Sequence, residues 1–134
     1  MSSNLSWMLS EKILLLECEG ELETPLDNTH HQITNMVGQT ADKQAYLLVD
    51  MSNSHHAEDY EYALLSHLDG TQIKAVILIS NSPASLQPLS QQIEKERASR
   101  SIPHVLLGTD REIAFNYLAQ IVNKHPVQIN SILA

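Results

Sequence analysis

The amino-acid sequence predicts an α/β domain in which helices pack against a mixed β-sheet. Three observations carry that expectation. Two runs, Ala45-Tyr46-Leu47-Leu48-Val49 and Ala75-Val76-Ile77-Leu78-Ile79, are continuously apolar rather than alternating, as strands covered on both faces are. Segments with helical spacing stand between and after them, and strand–helix–strand units force parallel neighbours through right-handed crossovers. The chain opens instead with two apolar segments joined too closely for a crossover, which makes that pair antiparallel. Its 134 residues suit one domain, taken as 1–122 with a C-terminal tail over 123–134.

Each element has its own justification. Leu5 to Leu9 and Lys12 to Gly20 form the opening hairpin, turned at Ser10-Glu11. Thr24-Pro25-Leu26-Asp27 supplies a cap, a first-turn proline and a carboxylate at the positive end of a helix dipole. Leu26, Ile33, Met36 and Val37 mark that helix's buried face, and it ends near Gly38. Gln44 to Met51 is the first covered strand. Tyr60, Ala63, Leu64 and Leu68 are spaced i, i+3, i+4, i+8, which predicts a second helix ending at Asp69-Gly70. After the strand Ala75 to Ile79, Ser82-Pro83 repeats the cap-then-proline pattern, with Leu86, Leu89 and Ile93 as the next stripe. Ile102 to Leu107 is the last strand, and because Pro103 cannot donate to a ladder, the strand belongs at an edge or begins there. Thr109-Asp110-Arg111-Glu112 reads as a capping box with Thr109 at the cap. Ile113, Ala114, Tyr117, Leu118, Ile121 and Val122 then make the strongest apolar face in the chain. The element order is β-β-α-β-α-β-α-β-α.

Composition excludes several function classes. Lys and Arg total 8 against 16 Asp and Glu, a formal net charge of −8. Binding to nucleic acid or to an anionic membrane needs clustered bases, so neither partner is expected. No apolar run approaches the roughly 18 residues of a membrane helix, and the N-terminus lacks the basic and apolar regions of a signal peptide. Cys18 is the single cysteine, so no internal disulfide forms, which suits a cytoplasmic protein. Glu17 and Glu19 flank it and would raise its pKa, making an inert buried thiol the expectation.

The most informative stretch follows the strand through Asp50: Met51-Ser52-Asn53-Ser54-His55-His56-Ala57-Glu58-Asp59-Tyr60. In α/β sheets, ligands and partners meet the loops at the carboxyl ends of the strands. His55, His56, Glu58 and Asp59 have the atoms of a metal site, but adjacent histidines point apart, so no metal is expected. A histidine beside carboxylates could act as a general base, yet no nucleophile or oxyanion donor accompanies it. A solvated loop with Ser54 or Glu58 as a helix cap is the plain reading, and a partner-facing or phosphorylatable surface is the functional one. His30, His31, His67, His104 and His125 read as structural or surface positions, and Tyr46, Tyr60, Tyr62 and Tyr117 as core. Ser80-Asn81-Ser82 precedes a helix start whose N–H groups could hold an anion. No G-x-G-x-x-G, P-loop or C-x-x-C is present, and no cofactor is expected.

The element order and the segment Leu47-Leu48-Val49-Asp50-Met51-Ser52 resemble the STAS domain of sulfate transporters and anti-sigma-factor antagonists, in particular its SpoIIAA-like bacterial branch. The strand Ala75 to Ile79 and the helix from Thr109 to Leu118 match as well, so the likeness spans residues 5–122. The resemblance implies a non-catalytic regulatory domain that binds a protein partner of the kinase, sigma-regulator or transporter class. Binding is expected through Asp50, Ser52, Ser54, Glu58, Asp59 and Tyr62. In the anti-sigma antagonists a serine in an Asp-Ser-Ser-Gly setting is phosphorylated at the start of the following helix. Here Asp59 occupies the acceptor position and Glu61 that of the glycine, which leaves Ser52 and Ser54 as the phosphorylation candidates. A carboxylate at that helix start could mimic the modified form. The resemblance also carries an alternative, a small-molecule or lipid-binding domain of the same fold. An exposed edge strand would further allow a homodimer.

Overall fold

The computed structural model describes residues 2–21, 27–55, 58–100 and 102–123. Strands β1 (Ser2–Leu9), β2 (Ile13–Glu21), β3 (Ala45–His55), β4 (Ile73–Ile79) and β5 (His104–Gly108) form one sheet in the order β1-β2-β3-β4-β5. β1 pairs antiparallel with β2, and the remaining pairs are parallel. Helices α1 (Asp27–Gly38), α2 (Glu58–Ser66) and α3 (Gln87–Glu96) make the crossovers, and α4 (Arg111–Asn123) follows β5. The expected mixed α/β sheet with one antiparallel edge is therefore what the chain forms. Thr24, Pro25, Leu26, His56 and the tail 124–134 lie outside the described residues.

Strand order dictates which face each helix covers. Three successive crossovers move one strand in the same direction, and in the usual right-handed sense they leave α1, α2 and α3 on one face. One buried cluster accordingly joins Ile33, Val37, Leu64, Leu65 and Ile93 to Leu14, Leu16, Leu47, Val49, Val76 and Leu78. The other joins Ala114, Leu118 and Ile121 of α4 to Ile13, Leu15, Tyr46, Leu48, Ala75 and Ile77. The period-two alternation of strand side chains sorts each apolar run between the two clusters, which is why the runs are unbroken.

Several local expectations are corrected. The hairpin turn is Ser10-Glu11-Lys12, with Glu11 at φ 61° and Lys12 N–H donating to the Leu9 carbonyl at 3.0 Å. β3 does not stop at Met51. It continues to His55 because β2 runs beside it, with Glu19, Gly20 and Glu21 opposite Asn53, Ser54 and His55 beyond a register shift. Strand pairing overrides the polar composition there. The third helix is entered through a 3₁₀ turn over Pro83–Leu86, and Ser82 makes no side-chain cap bond. At α4 the cap is Asp110, not Thr109: Asp110 Oδ1 accepts the Ile113 N–H at 2.9 Å. The final helix also takes in Asn123, assigned above to the tail.

Candidate functional site

Alternation along β2 and β3 builds the site. Ile13 and Leu15 face α4, so Glu17, two residues on, faces the same way; Tyr46 and Leu48 do the same for Asp50 and Ser52. Glu17 and Asp50 are register partners on adjacent parallel strands. Two carboxylates thus come side by side where the apolar stripe under α4 gives out. Arg111, the first residue of α4, meets them there.

The geometry is a charge-assisted network. Arg111 donates from Nε and Nη2 to Asp50 Oδ2 at 2.9 and 2.7 Å, and from Nη2 to Glu17 Oε2 at 2.8 Å. The other oxygen of Asp50 accepts the Ser52 backbone N–H at 3.0 Å and its hydroxyl at 2.6 Å. The side chain of Asp50 is 7% exposed, against 37% for Arg111 and 36% for Glu17. Burial by itself would push the Asp50 carboxyl up. The two Ser52 hydrogen bonds and the Arg111 guanidinium outweigh it and hold the group below the usual carboxylate range. Hydrogen bonding to Asp50, opposed by burial and reinforced by Glu17, raises Arg111. Both groups are charged throughout the neutral range.

The neighbouring loop is drawn into the same network. Asn81 Nδ2 donates to the Ser52 carbonyl at 2.8 Å, and Ser80 Oγ accepts the Ser82 N–H at 3.1 Å. Asn81 thus holds the loop against β3, while the Ser82 N–H is taken up within the loop and the Ser80 N–H donates to the Gly108 carbonyl at 3.0 Å.

Of the six residues expected to bind a partner, Asp50 and Ser52 come together. Asp50 is buried and paired instead of lying open on the rim, since the guanidinium of a distant helix reaches it. Tyr62 lies elsewhere: half-buried on α2, it donates from its hydroxyl to Glu96 of α3 at 2.9 and 3.1 Å. The side chains of Ser54, Glu58 and Asp59 are outside the described residues. Sequence reasoning missed Glu17 and Arg111. Alternation from Ile13 and Leu15 would have pointed to Glu17, and Arg111 stood inside the segment read only as a capping box.

Three expectations about single residues hold. Cys18 is buried, Tyr46 is buried with its phenol pushed up by desolvation, and His31 is exposed. Among the described residues no group of three or more His, Cys, Asp or Glu is placed to hold a metal ion. No described helix is long and apolar enough to cross a membrane. No protein-family model matches the sequence, and no curated protein matches it.

Proposed function

We propose that the chain is a STAS-like regulatory domain that acts by binding a protein with a basic surface, through the carboxyl edge of the sheet and the helix after β3. One observation carries this reading: acidic residues gather at the carboxyl ends of the strands, whereas the opposite end is mixed in sign. Toward the carboxyl edge stand Glu17, Glu19 and Glu21 of β2, Asp50 of β3 and Asp110 and Glu112 at α4. The openings of α1 and α2 add Asp27, Glu58, Asp59 and Glu61. Arg111 is the base among them, and it is spent on Asp50 and Glu17. Lys12, Lys43, Lys74, Lys95, Arg97 and Arg100 belong to the opposite end, where Glu11, Asp42, Asp69, Glu94 and Glu96 stand among them and ion pairs form, so that end is mixed in sign. A single-signed rim steers a partner of opposite charge and rejects one of like charge.

Binding without catalysis is supported by the state of Asp50. A general base must be free to take a proton, whereas this carboxylate is held ionised by three donor groups. The sequence carries a carboxylate, Asp59, where the resembling proteins carry a serine whose charge is switched.

A pull-down from lysate tests the reading, comparing wild type with Asp59→Lys and Glu19→Lys, both confirmed folded by circular dichroism. Loss of the same captured protein from both variants is expected. An unchanged set of captured proteins would overturn it.

A further inference from the structure

We propose that the free edge of β5, with the apolar cleft beside it, is the surface on which a second copy of this chain docks, β5 antiparallel to β5 across a two-fold axis. The proposal does not rest on the partner reading above, although Asp110 and Glu112 belong to both surfaces. It starts from uneven cover. Among the described residues α4 lies chiefly over β3 and β4, which leaves a cleft of about 390 Å³ between it and β5 on that face. Ile77, Leu106, Ala114 and Tyr117 line it. At its mouth stands Ile113, 70% exposed, the exposed large apolar residue among those described. An apolar knob beside an apolar hollow on one surface is self-complementary, which a two-fold interface requires: each copy offers its knob and receives the other's.

The backbone and the charges point to the same partner. Among the described residues no strand pairs with the far side of β5, so its outward N–H and C=O groups can continue a ladder. The two ends of β5 also carry opposite charge. At its start Arg97 donates to the Ile102 carbonyl at 3.0 Å and lies 2.9 Å from His104; Glu94, 3.1 Å from Arg97 and 3.8 Å from His104, offsets part of that charge, and the exposed Lys74 and Lys95 leave the end basic on balance. Just past its last residue stand the exposed Asp110 and Glu112. Antiparallel pairing sets the basic start of one strand beside the acidic end of the other, twice. Parallel pairing would set like against like. The net charge of −8 on each copy does not reverse this, because repulsion between centres is screened beyond about 8 Å at physiological salt while facing side chains are not. A head-to-tail arrangement would match the charges too, but it generates an open filament rather than a closed pair.

Sedimentation equilibrium of the full chain, over about two decades of concentration up to ~100 μM, tests the proposal. The wild type is expected to move from 15.0 kDa to twice that mass. Ile113→Asp places a carboxylate in the hollow and should raise the dissociation constant by about 100-fold, as loss of a central apolar anchor does. Because Ile113 is exposed, its melting temperature should match the wild-type value at concentrations where both chains are monomeric. Glu112→Lys, a second surface variant, should weaken the pair by about 10-fold through the charge match alone. Amide exchange in β5 should slow with concentration in wild type and not in Ile113→Asp. A wild type that stays at the monomer mass, an Ile113→Asp chain that pairs as tightly as wild type, or a small apolar ligand found on a monomer by native mass spectrometry would each overturn it.

Discussion

The two faces of the sheet are built differently from the same strands. One is covered by α1, α2 and α3, whose apolar stripes close over Leu47, Val49, Val76 and Leu78. Among the described residues the other has α4 alone, laid over Ile13, Leu15, Leu48 and Ala75. Redundancy separates them: three helices share the load on the first face, whereas on the second every buried side chain depends on one helix staying down. The polar fastening follows the same division. Tyr62 and Arg100 tie α2 to α3 at positions that are partly exposed, while the Asp50–Arg111 pair fixes the start of α4 and is sunk against the sheet. A face covered by one helix needs a stronger fastening than a face covered by three.

The largest expected effect removes packing under α4. Leu118 is fully buried, and Leu118→Ala should cost about 4 kcal/mol in chemical denaturation, near the upper part of the usual range for such a truncation. Leu65→Ala on the three-helix face, also fully buried, should cost about 3 kcal/mol because neighbouring helices can close part of the gap. Amide exchange sharpens the contrast. Protection should fall first along α4 in Leu118→Ala and across the whole fold in Leu65→Ala. Equal exchange profiles would remove the distinction between the faces.

Next in size is the fastening. Arg111→Ala leaves Asp50 buried with only Ser52 to satisfy it, and about 2 kcal/mol of stability should be lost at neutral pH. The figure sits below that for a fully buried pair because the guanidinium is partly exposed to solvent. In the variant the Asp50 carboxyl should also titrate higher, since burial then opposes fewer stabilising partners. NMR titration of the Asp50 carboxyl carbon would read both the wild-type depression and its loss.

The same pair sets a pH dependence. Asp50 is depressed in the folded chain relative to about 3.9 unfolded, so the unfolded state binds the proton first. Its contribution is complete above the unfolded value and declines as pH falls toward and through the folded one. Wild-type stability should therefore drop below about pH 5, and Asp50→Asn should flatten that part of the curve. His104 acts in the same direction higher up. Burial, then Arg97, lowers its pKa, so its neutral form is favoured in the fold and acidification below about 6.5 removes that contribution as well. A pH curve unchanged by Asp50→Asn would show that the fastening is not where the acid sensitivity lies.

These residues also mark how far the sequence could be followed. The unbroken runs 45–49 and 75–79 led directly to the covered strands, while Pro103 allowed either an edge position or a strand start and stands just before β5, which begins at His104. Stripe spacing found all four helices, because amphipathic periodicity is local information. What it could not give was the reach of Arg111, which meets Asp50 across 61 residues of chain and owes its position to α4 crossing the sheet. Asp50 was singled out from its place beyond an apolar strand, but the same reasoning made it an open rim residue. β3 likewise ran past its expected end because β2 offered pairing partners that composition does not reveal.

The smallest expected effect lies on the three-helix face and tests its redundancy. Tyr62→Phe removes a hydroxyl that donates to both oxygens of Glu96, yet it leaves that carboxylate with other partners: Arg100 Nη1 at 3.1 Å and Gln92 Nε2 at 3.4 Å. No charge is orphaned, and the ring keeps its packing against the cluster. The loss should be about 0.5–1 kcal/mol, the net worth of one hydrogen bond rather than the larger penalty of an unsatisfied buried group. Thermal denaturation of Tyr62→Phe beside Arg111→Ala makes the comparison directly. A Tyr62→Phe loss as large as that of Arg111→Ala would mean that α2 and α3 hang on a single contact too, and the contrast between the two faces would fail at the point where it is easiest to measure.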